Sequence, residues 1–284
     1  MKSDLDRLLE SIQHNTERKQ RNSNKAASAD PAHVASKNSV TKSNALARAY
    51  YRYGLVEKRI METLVSQLHP LRMDNQFQEI ELTALAYTQA FKVDVKHSYE
   101  HLEKAVTGLM KRVISVAGEG IEDDRVEFTL MARARYRKQQ GKIICTFNPL
   151  VVPHLVGMSK QFTKYPLSQA VDFTSSYTWR FYELLMSWAK KKSETNGLIA
   201  GWLTVEVDEL RSMLGVPKSY SWSKFESQIL NMVQAELKEK ANIHIDIERR
   251  KTSRKITHLH IRFIEDQQTQ LPLEGEDTKQ KKAA

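Results

Sequence analysis

From residue 44 onward the apolar positions follow two periods in a fixed alternation. Ile60, Leu64 and Leu68, flanked by Val56 and Val65, have the three-to-four-residue spacing of one helix face. That spacing predicts helices over 44–53 and 55–68, broken near Gly54. QEIELT (78–83) alternates with the period of two of a strand. Thr83 then stands as the N-cap of a helix running through Phe91, and Ser98 as the cap of another from Tyr99 to about Arg112. A hairpin is expected from 113–116 and 126–137. The turn QQGK (139–142) leads into the strand IICTF, and Asn148 opens a short apolar helix. The second half repeats this order. A long helix spans 175–190, WLTVEV (202–207) is a strand, and Asp208 caps a helix that ends at Gly215. After the polar turn VPKSYS comes a helix from about Trp222 to Lys238, then strands over 243–248 and 255–264 around the turn RRKTSRK.

The repeat has a position-by-position form. The last helix of the first unit puts Leu102, Val106, Leu109 and Met110 on one face; that of the second puts Phe225, Ile229, Met232 and Val233 there, each 123 positions further on. Strand, helix, turn, helix and basic hairpin in that order describe a winged helix, a helix-turn-helix with a β wing. The expected fold class is therefore α+β, with two tandem winged-helix domains over 38–160 and 161–265. Residues 1–37 read as a flexible arm with a short amphipathic pattern at Leu5, Leu8, Leu9 and Ile12, and 266–284 as a disordered tail.

Composition narrows the class. Of 284 residues, 27% are charged and 40% apolar, as in globular proteins, and the formal net charge of +10 suggests a polyanionic partner. The single cysteine, Cys145, excludes a disulfide framework and fits a reducing cytoplasm. No run approaches the length of a membrane span, and the N-terminus lacks a signal-peptide core.

A winged helix reads double-stranded DNA by placing the exposed face of its last helix in the major groove, while the wing reaches phosphate or the minor groove. In the second unit the face opposite the apolar stripe carries Ser223, Lys224, Ser227, Asn231 and Gln234, with Lys218, Ser219 and Ser221 at the helix start. The hairpin adds Arg249, Arg250, Lys251, Arg254, Lys255 and Arg262, with no acid between 249 and 262. In the first unit Ser98, His101, Lys104 and Lys111 are the corresponding candidates, beside Glu100 and Glu103, which phosphate repels. Strand alternation puts Arg133, Arg135 and Arg137 on one face, suited either to the DNA backbone or to acids across a protein interface. Tyr177, Trp179, Phe181 and Tyr182 can stack on bases, but on a helix apolar on more than one face core packing is the better reading.

The chain resembles the iteron-binding plasmid replication initiators, a family built from two winged helices. The resemblance covers about 38–265 and is densest in FTKYPLSQAVDFTSSYTWRFYELL (162–185), where the family favours the pattern seen as Ser175, Tyr177, Arg180, Tyr182, Glu183, Leu184 and Leu185. LTVEVDELRSMLGV, the Tyr220 to Phe225 spacing, the closing basic hairpin and NALARAYYRYGLVEKRIMETLVSQL add to it; Thr178 and Trp179 depart from the family's small and aliphatic residues. The resemblance implies sequence-specific binding of tandem origin repeats, origin opening, and a host initiator ATPase, replicative helicase and chaperones as partners. It also implies a monomer–dimer equilibrium in which dimers, formed through the first winged helix, repress their own gene.

Two other classes share parts of this pattern. A transcriptional repressor without an initiator role fits the same residues. A rolling-circle nickase finds a formal His-apolar-His pair in His258 and His260, yet no tyrosine follows Tyr220 to act as nucleophile. His97 and His101 have i, i+4 spacing but no evident third metal ligand, Asp123 and Asp124 lack partner acids, and no Gly-rich loop ends in Gly-Lys-Ser/Thr. The expectation is a non-enzymatic protein without a cofactor.

Overall fold

The computed structural model describes residues 38–68, 78–94, 96–117 and 125–266. The expected arm, the tail beyond Asp266 and the Asp123–Asp124 loop lie outside the described residues. The first half comprises β1 (Ser39–Ser43), α1 (Asn44–Arg48), α2 (Leu55–Ser66), β2 (Glu79–Thr83), α3 (Ala84–Phe91), α4 (Ser98–Leu109), β3 (Val113–Ala117), β4 (Arg125–Thr129), β5 (Met131–Arg137) and β6 (Lys142–Phe147). After β7 (Phe162–Pro166) come α5 (Ser176–Trp188), β8 (Ala200–Glu206), α6 (Val207–Leu214), α7 (Trp222–Phe225), α8 (Asn231–Ala241), β9 (Ile243–Thr252) and β10 (Lys255–Glu265).

The two winged helices share one sheet plan. In the first, the strand order is β2-β6-β5; in the second it is β8-β10-β9. Each unit's opening strand pairs antiparallel with its last, and the last with the one before it. The first unit adds a separate hairpin, β3–β4, between its last helix and its wing. Residues 126–137 are therefore not one strand, as expected, but two in different sheets: buried Leu130 interrupts pairing, and Asn148 N–H bonds its carbonyl.

Other boundaries move for local reasons. The helix expected over 44–53 stops at Arg48, because Tyr50 leaves to exchange backbone bonds with Ser115 of β3. Thr83 caps α3 as expected, its hydroxyl accepting from Ala86 N–H at 3.0 Å. Ser98 is not a cap. His97, in left-handed backbone at φ 60°, holds that position, and Ser98 is buried inside the first turn. Asp208 likewise lies within α6, after Glu206 at the N-cap, where its charge suits the positive end of the helix. Gly215 ends α6 at φ 68°, the left-handed conformation expected of a C-terminal glycine.

Between α7 and α8 the residues Glu226–Leu230 form a π turn, so the last helix of the second unit is not uniform. A π turn adds a residue and rotates everything downstream of it. Leu102/Phe225 and Val106/Ile229 keep the 123-residue match, and all four are buried. Buried Leu109, however, corresponds to buried Val233 rather than to half-buried Met232, one position later than the repeat predicts.

The halves meet along α5, which packs on α1 and β7 on one side and on β8, α6 and α8 on the other. Strand β1 pairs with β7, lacing the start of the first half to the segment that precedes α5. Trp179, Phe181 and Tyr182 are fully buried, so these aromatics are core; Trp179 Nε1–H donates to Tyr165 Oη at 3.1 Å.

Candidate nucleic-acid interface

In the second unit the apolar stripe Phe225, Ile229, Val233 and Leu237 holds the last helix against its sheet, which turns Ser223, Lys224, Ser227 and Asn231 to solvent. Gln228, passed over in the sequence, is exposed on that face too, one turn on from Lys224. Gln234 leaves it: half-buried, it donates through Nε2 to Ile245 O at 3.1 Å and ties α8 to β9. Ser221 Oγ is engaged as the N-cap, accepting from Lys224 N–H at 3.2 Å. Lys218 and Ser219 are exposed just before it, and Lys224 Nζ sits 4.0 Å from the centre of the Tyr220 ring, a cation–π contact that holds the ammonium at the helix start.

The hairpin is less free than a run of six cations suggests. Arg249 pairs with Glu226 at 2.5 Å, Arg262 with Asp246 at 2.5 Å, Lys255 with Asp208 at 3.5 Å and Arg250 with Glu248 at 3.9 Å. Only Lys251 and Arg254 lack an ion-pair partner among the described residues. They flank the wing turn, where Ser253 adopts φ 56°. Exposed pairs of this kind contribute little to stability, so an incoming phosphate can compete for their cations.

The first unit offers a weaker face. His101, Lys104 and Lys111 are exposed, but Ser98 is buried and does not join them, and Glu100 is engaged with His97 at 3.2 Å. Arg133, Arg135 and Arg137 do share one sheet face, in register with Thr146, Ile144 and Lys142 of β6. Glu79, two strands away, holds Arg133 at 2.5 Å and Arg135 at 3.7 Å; Arg137 has no such partner among the described residues. Within the chain, Arg133 and Arg135 are engaged by an acid of the same sheet.

Two family models match the chain in sequence. The one described as "Initiator Replication protein, WH1" matches residues 39–186. The second, "Initiator Rep protein, WH2", matches residues 206–263. The chain belongs to the initiator replication protein family. The WH1 match runs on into α5, the helix both halves share. Among solved structures, the Pi initiator protein in complex with iteron DNA superposes with a TM-score of 0.65 at 19% identity, covering 82% of this chain and 99% of that one. This likeness shows the fold. The WH1 domain of the replication protein MSBI1.176, isolated from a multiple sclerosis patient, matches 36% of this chain and 77% of its own at 22% identity, with a TM-score of 0.30.

At the seam of this initiator lies a cluster that sequence reasoning missed. Lys42 of β1, Lys58 and Glu62 of α2, and Arg180 and Glu183 of α5 are all buried. Lys42 Nζ donates to Glu62 at 2.8 Å and to Glu183 at 2.5 Å; Lys58 Nζ bridges the same two carboxylates at 2.5 and 2.6 Å; Arg180 reaches Glu183 at 2.8 Å. Tyr165 Oη adds a hydrogen bond to Glu183 at 2.9 Å. Burial alone would raise the Glu183 carboxyl, but Lys42, Lys58 and Arg180 hold it well below the usual carboxylate range. Three cations face two carboxylates, so the network is tight and one positive charge in excess. Its sequence signal was Lys58 and Glu62 on a helix with apolar residues nearly all round it, a pattern that marks a buried helix with paired charges. Glu236 of α8 is a further buried acid, outside this network. Thr174 N–H, both Thr174 and Thr178 hydroxyls and Lys240 all donate to it, and together they lower its pKa against the effect of burial.

The histidines have local partners: His260 Nδ1 meets Thr204 Oγ1 at 2.8 Å and His258 lies 3.7 Å from Glu206. Among the described residues no group of three His, Cys, Asp or Glu side chains gathers into a metal site, and no helix is long and apolar enough to cross a membrane.

Proposed function

We propose that this initiator binds tandem repeats at a plasmid origin sequence-specifically, WH2 reading bases through Lys224, Ser227, Gln228 and Asn231, and both domains contacting one repeat. The observation that carries the reading is the exposed run Ser223, Lys224, Ser227, Gln228 and Asn231, uncharged or cationic, beside a wing turn whose Lys251 and Arg254 have no ion-pair partner among the described residues. That the Pi initiator, of the same fold, is described bound to iteron DNA supports it. Two recognition helices in successive major grooves span about 20 bp. Binding several repeats side by side would bend the duplex and favour opening of adjacent AT-rich DNA. A host ATPase and helicase, in the cytoplasm, would supply the energy-driven steps, and host chaperones would act on the initiator itself. Footprinting on tandem repeats should show about 20 bp protected per monomer; protection of a single half-turn, or equal affinity for unrelated sequence, would overturn it.

Autorepression by a dimer belongs to the same proposal. Strand β5 is the edge of the WH1 sheet, open to a copy of itself across a two-fold axis, with Arg133 and Arg135 near the interface or at its rim. Arg135→Glu should shift the monomer–dimer equilibrium in analytical ultracentrifugation while repeat binding by the monomer survives. Unchanged dimerisation with lost DNA binding would move these arginines to the phosphate backbone.

A further inference from the structure

A cleft of about 470 Å³ opens on the seam between WH1 and WH2. Three arginines line it, with Tyr53, Ser176 and Tyr177: Arg52 and Arg112 from the first half and Arg180 from α5. Arg52 has no ion-pair partner among the described residues. Arg112 shares Glu57, at 3.2 Å, with the backbone N–H of Gly54, which Glu57 accepts at 2.7 Å. Arg180 spends both terminal nitrogens inside the protein, Nη1 on Ala47 O, Tyr51 and Glu183 and Nη2 on Ala49 O and Met213 O, yet its buried Nε has no hydrogen-bond partner among the described residues, and neither has the buried hydroxyl of Tyr53. Both side chains are more than nine-tenths buried, at 3% and 4% exposure. Buried polar groups are nearly always bonded, so two orphans in the wall of one cleft point to an absent partner. The N-termini of α2 and α5 lie at the same cleft, at Gly54 and Ser176, and add their positive ends to the guanidiniums.

We propose that this cleft is a phosphate-binding site. Against three guanidiniums and two helix N-termini stand only Glu57, already shared, and Glu183, already saturated by the buried network. A tetrahedral, multiply charged anion with several acceptor oxygens matches Arg52 and Arg112, which reach the cleft from different segments, with the charge of Arg180 behind them. The volume lies within the range of small-molecule pockets and exceeds what a lone carboxylate needs. The phosphate has two possible sources, the backbone of bound DNA or a soluble phosphorylated compound. In either case it touches both halves at once: Arg52 also packs against Gly215, where an added Cβ would lie 2.8 Å from Arg52 Cβ, so the cleft is mechanically tied to the turn that leads into α7.

The site is tested on the full chain without DNA, independently of any reading of repeats. Titration calorimetry with sodium pyrophosphate, at ionic strength matched with sodium chloride, should show one site that Arg52→Ala weakens at least tenfold. Tyr53→Phe, which removes only the orphan hydroxyl, should weaken it several-fold with an unchanged circular dichroism spectrum. In parallel, the salt dependence of DNA binding is compared for the parent chain and Arg52→Ala. Pyrophosphate binding lost with the DNA salt slope unchanged assigns the site to a soluble ligand. A slope lowered by about one unit assigns it to a DNA phosphate, whether or not pyrophosphate binds. Pyrophosphate binding equal in all three proteins, or none at all, together with an unchanged slope overturns the proposal.

Discussion

WH1 and WH2 share a strand order and differ in where their charge is spent. In WH1 the sheet face that carries Arg133 and Arg135 also carries Glu79 and Glu81; Glu79 takes the arginines, and Glu81 takes Lys142 at 2.8 Å. Its wing is a tight turn through Lys138–Gln140 closed by Gly141 in left-handed backbone. In WH2 the strands run on to ten and eleven residues, and the acids that neutralise Arg249, Arg250, Lys255 and Arg262 stop short of the turn. Among the described residues, Lys251 and Arg254 are left without an acid. The difference teaches that the count of cations on a wing is a poor guide to binding, and that the count of cations without an acid is a better one.

The largest expected effect concerns what couples the two domains. Glu183→Gln removes one carboxylate from a buried cluster of three cations, and an uncompensated buried charge costs about 3–5 kcal/mol. Urea unfolding should show that loss and a split of one transition into two, since each half keeps its own sheet and helices. The pH dependence has a definite sign. Because the folded carboxyl is held low, its contribution is present above the unfolded value of about 4.3 and is lost as pH falls through the depressed folded value. The parent chain should therefore lose stability below about pH 4 more steeply than Glu183→Gln.

Next in size is base discrimination. Lys224→Ala or Asn231→Ala should cost about 1–3 kcal/mol at particular base pairs, read by competition with singly substituted repeats. His101→Ala and Lys104→Ala in WH1 should change discrimination less; the reverse order would make WH1 the reading domain. Smaller again is the salt slope. Arg254→Ala should lower it by about one unit, and Arg133→Ala by less than half as much because Glu79 already occupies that guanidinium. Equal slopes would erase the distinction between the wings. The smallest effect is that of Gln234→Ala, expected to leave base discrimination unchanged and to cost about 0.5–1.5 kcal/mol of stability through its lost bond to Ile245 O.

Much of this architecture is legible in the residues. Alternation in QEIELT and WLTVEV, the cap at Thr83 and the stop at Gly215 are local signals, and the structure keeps them. What was not legible depends on distant partners. Nothing near Gln234 announces the carbonyl of Ile245, and Glu79 is 54 positions from the arginine it holds. The break at Leu130 comes from pairing with two different sheets, which periodicity along one strand cannot register. The seam charges were hidden for the same reason: Lys42 and Glu183 are 141 positions apart and look like surface residues until β1 and α5 are brought together.

For anyone re-targeting WH2 by borrowing a relative's recognition helix, the π turn at Glu226–Leu230 sets two reading frames. Substitutions before Glu226 transfer position for position from an ordinary α-helical donor. Beyond Leu230 the same face arrives one residue late, and a side chain grafted in the upstream frame lands about 100° round the helix axis. A glutamine meant for an adenine would then sit where Gln234 sits, hydrogen-bonded to the sheet. A chimaera spliced within the π turn, with one residue added to the donor, would keep the reading face continuous.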